Sequence, residues 1–368
     1  MKIYCTKSEL SAALSNGMNA ITTRTTAKIL EGFLMDVDED SMIITSTDTN
    51  IIIESHIKVR AEGKASFVVP AKIMTDIIRN LPEEEVILDY DAVKYTIRVQ
   101  SGRFKSEVIC FANDDFPRFY ASDPSATVFI QKEAIRNLIR HTAFSASKDE
   151  INGILTGVLC EIKDGNFRMV AVDAFRMAIY NENVDNNFQP LKVVIPAKQI
   201  ANLTKVISDL GEEYVRMDLV DRKAVFTFDN TKVTINTLNG NFIDYNRIIR
   251  TDTPTRIRVQ RSELINSIDR AALMTSSNNN NMIKFDITDD MIEISSASDN
   301  GSAKEKIEII KEGSNFRIGF NSLYLKEILK NIDDEEIYLY LRDSISPCIM
   351  RPLTGEKYLY LVLPVRIS

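Results

Sequence analysis

The chain of 368 residues repeats one sequence pattern three times. In each copy an apolar segment leads through a turn to a strand-like run that ends in an aspartate. Gly32 and Gly157 lie 125 positions apart, as do Asp48 and Asp173, and Asp299 follows Asp173 after 126 positions. A fixed period indicates tandem structural units. The chain is also about two to three times the usual domain length, so we expect three copies of one unit.

Each copy carries two helical signals in the same phase. Apolar residues recur at three- and four-residue spacing after a polar start, which is typical of an amphipathic helix. Pro70 and Pro196 each open a second helix, in the first turn, where the missing N–H of proline costs nothing. The predicted helices span residues 6–21, 70–81, 131–147, 196–210, 260–275 and 320–332.

The sequence between the helices predicts short strands, roughly eight per copy, bounded by turn residues. Polar segments that contain proline separate the copies near residues 122–125 and 251–255. We therefore predict an α+β fold with domains at residues 1–122, 126–250 and 254–368. The pattern by itself leaves two architectures open, a simple tandem scaffold and a closed ring.

The placement of charge bears on nucleic-acid binding. The net charge of −7 at first argues against it. The six predicted helices, with Lys148 counted at the end of the third, carry +6, so the remainder of the chain carries −13. A basic helical face attracts phosphate without reading sequence, and the acidic remainder repels duplex from other surfaces. Ordinary solvated helix faces remain the alternative explanation of this count.

Composition and motifs give no sign of an enzyme. The chain has only two histidines and four scattered cysteines, and it contains neither a phosphate-binding loop nor a nucleophile elbow. We expect reduced, buried thiols, no metal, no cofactor and no catalytic residues. A hydrolase or nuclease would need a cluster that the sequence lacks. The apolar runs are too short to span a bilayer and the N-terminal segment is charged early, so we expect a cytoplasmic protein.

Several short motifs, in order along the whole chain, resemble the bacterial sliding clamps, the beta subunit of DNA polymerase III. They are residues 101–103, 115–117, 153–159, Val172-Asp173-Ala174-Phe175-Arg176-Met177-Ala178, 194–196, 240–245 and Leu363-Pro364-Val365-Arg366-Ile367. Each motif alone is weak, but their order and the triple repeat make the resemblance specific. It implies a ring-shaped head-to-tail homodimer of two-helix, two-sheet domains, with helices lining the hole and sheets outside.

The resemblance also implies a function. It indicates a non-catalytic processivity factor that encircles duplex DNA without sequence specificity and tethers partners by a peptide pocket. The implied partners are the DNA polymerase III catalytic subunit, the clamp loader, other replication and repair proteins, and a second copy of the chain. Twelve helices ~10 Å wide would leave an opening of roughly 30 Å, whereas six would leave only roughly 10 Å. The alternative function is a repeat-built protein-binding scaffold that does not encircle DNA.

Candidate site residues follow from the resemblance and the charge count. The resemblance implies DNA contacts at Arg24, Lys72 and Lys198, and the charge count adds Arg136, Arg140 and Lys148. The implied dimer interface joins the strand from Lys105 to Ile109, which includes Val108, to the helix end at Leu273 and Met274. The implied partner-peptide pocket consists of Leu155, Val172, Ala174, Phe175, Arg176, Met177, Ile243, Arg247, Ile248, Leu361, Leu363, Pro364, Val365 and Arg366.

The predicted pocket is an apolar cleft with arginines at its rim, suited to a short extended peptide with aliphatic and aromatic anchors. Phe175 stands where the family often has histidine, and Ala174 where it often has glycine or serine. The peptide preference of this chain is therefore open.

Overall fold

The computed structural model describes residues 1–22, 26–119, 122–184, 190–208, 211–250, 252–275, 280–299 and 301–367. Arg24, one of the predicted DNA contacts, lies outside these described residues. Within them the chain contains six α-helices and 26 β-strands, which agrees with the predicted mixture of two helices and about eight strands per repeat.

The six α-helices lie inside the predicted spans and are a few residues shorter. A 3-10 turn, Met18–Ala20, follows the first helix, and another, Ala143–Ser145, follows the third. Side chains of Thr6 and Asn321 cap the first and sixth helices by accepting backbone N–H groups. The helices are α1 (Lys7–Gly17), α2 (Ala71–Arg79), α3 (Lys132–Thr142), α4 (Ala197–Val206), α5 (Arg261–Ala272) and α6 (Ser322–Lys330).

The strands follow the three repeats. In the first repeat they are β1 (Lys2–Thr6), β2 (Gly32–Val37), β3 (Ser41–Thr47), β4 (Ile51–Lys58), β5 (Arg60–Ala61), β6 (Ala65–Pro70), β7 (Glu85–Asp91), β8 (Thr96–Ser101) and β9 (Phe104–Ile109). In the second they are β10 (Ala126–Gln131), β11 (Gly157–Lys163), β12 (Asn166–Val172), β13 (Arg176–Asn183), β14 (Leu191–Pro196), β15 (Tyr214–Val220), β16 (Lys223–Phe228) and β17 (Thr231–Asn236). In the third they are β18 (Thr255–Gln260), β19 (Met282–Ile287), β20 (Met291–Ser298), β21 (Gly301–Glu308), β22 (Ile310–Glu312), β23 (Phe316–Asn321), β24 (Glu336–Leu341), β25 (Cys348–Pro352) and β26 (Tyr358–Val362).

The first of two compact units comprises Met1–Ile135 and Lys198–Thr237. It contains a five-stranded sheet in the order β5-β1-β7-β8-β9 and an eight-stranded sheet in the order β10-β15-β16-β17-β4-β3-β2-β6. In the larger sheet β17 pairs antiparallel with β4, so one sheet continues from the second repeat into the first. Apolar side chains from both sheets, α1 and α2 bury one another in a shared core.

The second unit comprises Arg136–Ala197 and Leu238–Ser368. It contains a nine-stranded sheet in the order β14-β11-β12-β13-β26-β25-β24-β18-β22 and a four-stranded sheet in the order β21-β20-β19-β23. Here β13 pairs antiparallel with β26, so a sheet again runs from one repeat into the next. The compact units therefore divide the second repeat, because each half of that repeat shares a sheet with a different neighbour.

Equivalent strands meet at both of these junctions. Each repeat contributes two groups of neighbouring strands, or half-sheets, to the sheets. One half-sheet contains three consecutive antiparallel strands, a meander, and its outermost strand is the third of these, which is β4, β13 or β21. The other half-sheet ends at the last strand of the repeat, which is β9, β17 or β26. The pairs β4–β17 and β13–β26 join one strand of each kind. Consequently β9 and β21 remain as sheet edges within the described residues, with backbone groups available for pairing.

Candidate functional site

Six of the predicted pocket residues belong to one apolar cluster in the second unit. Val172, Met177 and Leu361 are buried in it, on adjacent strands of the nine-stranded sheet. The half-buried side chains of the other three, Leu155, Ile243 and Ile248, pack against it. The sheet order explains this meeting, because β12, β13 and β26 are neighbours although β26 belongs to the third repeat.

The segment that connects the second and third repeats, residues 238–250, covers part of this cluster. Its start is tied to β14, where Leu238 N–H donates to the Val194 carbonyl at 2.8 Å. Its middle is tied to β11, where the Tyr245 hydroxyl donates to Glu161 Oε2 at 2.6 Å. Arg247, in the same segment, is exposed, and its Nε lies 2.8 Å from Asp244 Oδ2.

The turn between β12 and β13 exposes two residues of the predicted pocket to solvent, Ala174 and Phe175. Asp173 Oδ1 accepts the backbone N–H groups of Phe175 at 2.7 Å and of Arg176 at 2.8 Å, which fixes the turn. Phe175 is 52% exposed and stacks on Tyr324 of α6, with ring centroids 5.5 Å apart. Asp48 makes the same pair of turn bonds in the first repeat.

The C-terminal tail, residues 363–367, is bonded to this turn and to the third repeat. Leu363 N–H donates to the Phe175 carbonyl and Val365 N–H to the Gly319 carbonyl, both at 2.8 Å. A Cβ at Gly319 would lie 2.7 Å from the Val365 oxygen, so the close approach of the tail requires glycine. Leu363 and Arg366 are exposed, whereas Pro364 and Val365 are half-buried.

Arg176 is buried, unlike the two other arginines predicted for the pocket. It is only 4% exposed. Its Nε donates to Asp173 Oδ2 at 3.0 Å and its Nη2 to the Phe144 carbonyl at 3.0 Å, and Nη1 donates to Glu327 Oε2. The guanidinium also lies over the Tyr324 ring, 4.9 Å from its centroid. It therefore braces the turn from inside, while Arg247 and Arg366 are the solvent-facing cations.

The predicted DNA contacts have different surroundings. Lys72 of α2 and Lys198 of α4 are exposed and make no ion pair with any residue that the structure describes. Arg140 is bonded to Asp333, and Lys148 Nζ lies 3.9 Å from Glu327 Oε1. Arg136 is half-buried.

Carboxylates compensate more of the helical charge than the sequence count suggested. In addition to the pairs of Arg140 and Lys148, Lys132 pairs with Asp229, Arg270 with Glu305 and Lys326 with Asp269. The uncompensated positive charge is therefore concentrated at fewer positions, among them Lys72 and Lys198.

The predicted interface residues lie at the two edge strands. Lys105 on β9 is exposed, whereas Val108 is 5% exposed and points into the core of the first unit. Ile109, at the end of the predicted interface strand, is 69% exposed. Leu273, just after α5, is 78% exposed, and Met274 is half-buried next to Gly301 at the start of β21.

No group of three or more His, Cys, Asp or Glu side chains suited to a metal occurs in the part of the chain that the structure describes. Nor does any described helix have the length and apolar character needed to cross a membrane. All four cysteines are free and buried, which confirms the prediction, and burial raises the pKa of the Cys348 thiol to about 12.

Family models of the DNA polymerase III beta subunit match almost the whole chain. The N-terminal domain matches residues 1–120, the central domain residues 129–244 and the C-terminal domain residues 246–366. A solved structure of a putative DNA polymerase III beta subunit from Eubacterium rectale is 30% identical, with 99% of both chains covered and a TM-score of 0.94. The chain belongs to the beta sliding clamp family.

Other relatives agree with this family. The beta sliding clamp of Staphylococcus aureus is 29% identical over 363 residues, which is 96% of each chain. The DNA polymerase sliding clamp of Bacillus subtilis is 28% identical over 100% of both chains, with a TM-score of 0.94. The three repeats thus correspond to the three clamp domains, and the sliding-clamp interpretation is favoured over the protein-binding scaffold.

Sequence reasoning missed two residues of α6 that contact members of the predicted pocket. Tyr324 and Glu327 contact Phe175 and Arg176, respectively, from the third repeat. No local signal marks them, because a tyrosine and a glutamate one turn apart are common on exposed helix faces.

Proposed function

We propose that two copies of this chain pair head to tail into a ring that encircles duplex DNA, with the helices lining the hole and the sheets outside. The chain acts without catalysis and without reading sequence, as a processivity factor in the cytoplasm. Its three domains are residues 1–122, 126–250 and 254–368. The surface formed by the connector, the turn at 173–176 and the tail holds peptides of the DNA polymerase III catalytic subunit, the clamp loader and other replication and repair proteins.

The observation that supports this proposal is that the two junctions between repeats pair the same two kinds of strand. Both junctions join a third meander strand to the last strand of a neighbouring repeat, as β4 to β17 and β13 to β26. The third repeat supplies β21 and the first supplies β9, and both are edges. Pairing β21 of one chain with β9 of a second copy follows the same rule. It gives the backbone groups of both edge strands hydrogen-bond partners. Because each chain has one edge of each kind, two such junctions close the two chains into a ring.

The internal registers specify how these strands align. Ile52 opposes Thr234 at one junction, and Met177 opposes Leu361 at the other. Ile52 and Met177 each lie four residues after the turn aspartate of their repeat. Thr234 and Leu361 each lie three residues after the first residue of their strand.

The corresponding residues in the third and first repeats are Ala303 and Glu107. Antiparallel pairing at that register sets Glu305 opposite Lys105 of the second copy, a favourable cross-strand charge pair. It also brings Ile109 to Gly301, beside Met274, so the exposed apolar side chains at the two edges meet.

Cysteine cross-linking tests the ring and its register. We expect the double variant Lys105→Cys, Glu305→Cys to form covalent dimers under mild oxidation, because each junction sets the two thiols face to face. The matched control, Lys105→Cys with Glu308→Cys, lies three positions out of register and should form few. Cross-linking no better than the control would refute the register.

A retention assay tests encirclement itself. After the clamp loader has placed the wild-type chain on nicked circular duplex, it should stay on the circle and leave when the DNA is cut. Equal loss from circular and linear DNA would contradict encirclement whatever the cross-linking result.

A further inference from the structure

The carboxylate of Glu327 lies between two cations that belong to different predicted sites. On one side, Oε2 accepts a hydrogen bond from Nη1 of the buried Arg176, beneath the partner pocket. On the other side, Oε1 lies 3.9 Å from Nζ of the exposed Lys148, a predicted phosphate contact. Glu327 itself is half-exposed, so its carboxylate can be shared between the buried and the solvent-facing cation.

The pairing with Arg176 determines how the pocket wall is held. A guanidinium that is 4% exposed needs carboxylate partners, and within the described residues Arg176 has two, Asp173 and Glu327. Asp173 is part of the same turn, so Glu327 is the partner that anchors the turn to α6. The turn in turn accepts the tail, through the bond from Leu363 N–H to the Phe175 carbonyl.

The pairing with Lys148 is of a different kind. Both side chains are accessible to solvent, so their attraction is weak and readily exchanged for another partner. DNA competes for the lysine, because each phosphate carries a full negative charge on two unesterified oxygens and the neighbouring phosphates add to the attraction. When Lys148 binds phosphate, the carboxylate of Glu327 retains Arg176 as its cation.

We propose that Glu327 is a positioning residue that couples phosphate binding at Lys148 to the partner-peptide pocket. When Lys148 leaves Glu327 and binds a DNA phosphate, the Glu327–Arg176 ion pair becomes stronger. The stronger pair orders the turn at 173–176 and the C-terminal tail before the peptide binds. A pre-ordered pocket loses less entropy on binding, so the peptide binds more tightly to the DNA-bound chain. Coupling between binding sites is reciprocal, so the peptide also strengthens retention on DNA. The inference rests on the proposed clamp function.

The test measures the affinity of a fluorescent peptide from the end of the polymerase catalytic subunit, with and without a saturating short duplex. For the wild type we expect the duplex to tighten binding about two- to fivefold, the range that an exposed ion pair can supply. Lys148→Ala should show the tighter affinity already without DNA and no further response. Glu327→Gln should bind the peptide more weakly and should not respond to the duplex.

Lys198→Ala is the matched control, because this exposed lysine also faces solvent from a helix but makes no ion pair with a described residue. It should weaken duplex binding while keeping the peptide response at a saturating duplex concentration. A Glu327→Gln variant that still responds to DNA, or a Lys148→Ala variant with unchanged peptide affinity, overturns the coupling. Failure of the wild type to bind the peptide at all would instead reject the proposed pocket, and the coupling with it.

Discussion

His141, at the C-terminal end of α3, is a buried titratable side chain that joins the second repeat to the third. It is 2% exposed and stacks on Tyr180, with ring centroids 4.1 Å apart. Its Nδ1 faces the Asn331 carbonyl, which can only accept, so Nδ1 carries the proton. Its Nε2 then accepts from Arg140 Nη2 at 2.8 Å. Asp333 Oδ2 also faces Nε2, at 3.3 Å.

This environment predicts a pH dependence of stability. Burial, and then the charge of Arg140, lower the pKa of His141 below its ordinary value, against the opposing effect of Asp333. The unfolded chain therefore takes up the proton first, and the free energy of unfolding should fall as pH drops below about 6.5. One proton limits the slope to about 1.4 kcal/mol per pH unit.

Urea unfolding between pH 8 and 5.5 measures this slope. His141→Gln should lower stability at pH 8 but remove most of the slope. The exposed His56 supplies the control, since His56→Gln should keep the wild-type profile. A slope that survives in His141→Gln would assign the pH dependence to other groups.

The C-terminal tail is an element that continues a pattern present in every repeat. In each repeat, one residue after the last strand forms an isolated antiparallel β-bridge with the strand that follows the meander, which is β6, β14 or β23. The bridged pairs are Phe111 with Val68, Leu238 with Val194 and Val365 with Gly319. The tail is therefore a regular part of the third repeat, held by backbone hydrogen bonds.

Deleting residues 363–368 should abolish binding of the polymerase peptide while leaving the dimer intact. The cut spares β26, which ends at Val362, but removes Leu363, Pro364 and Val365 from the pocket. Because a buried peptide anchor is worth about 2 kcal/mol or more, we expect at least a tenfold loss of affinity by fluorescence titration. Gly319→Ala should cause a smaller loss by displacing Val365 without shortening the chain. Affinity within twofold of the intact chain would place the pocket elsewhere.

The proposed dimer is a property of the whole molecule, and substitutions at its junction can test it. Leu273 is 78% exposed in the single chain, so replacing it should not disturb the fold. In the proposed junction Leu273 and Met274 bury their side chains against the second copy. An apolar anchor of this size contributes about 2–5 kcal/mol when buried.

Leu273→Ala combined with Met274→Ala should therefore yield a folded monomer, because both junctions of the dimer lose two apolar anchors. We expect dimer affinity to fall roughly a hundredfold or more, measured as native mass at nanomolar protein. Ile345→Ala is the matched control, since Ile345 is similarly exposed but lies in the turn between β24 and β25. An unchanged dimer mass in the double variant would exclude this interface.

The sequence alone determined the three repeats, the six helices and the state of the cysteines. Each of these depends on local periodicity, on spacing within one repeat or on residue type, which can be read without knowing what lies opposite in space. The mixed α+β class follows from the same patterns. Most pocket residues entered through the resemblance, because their segments are far apart in the chain.

Only the tertiary structure decided which strands pair between repeats and which charges are compensated. Arg176 meets Glu327 across 151 positions, and His141 meets Asn331 across 190. The local sequence does not identify Glu327 or Asn331 as partners, because similar residues occur on any exposed helix face. The burial of Arg176 and the pairing of Arg140 with Asp333 likewise depend on contacts between distant segments. Local physics thus specified the elements, whereas long-range pairing of β-strands and ions set the surroundings of the site.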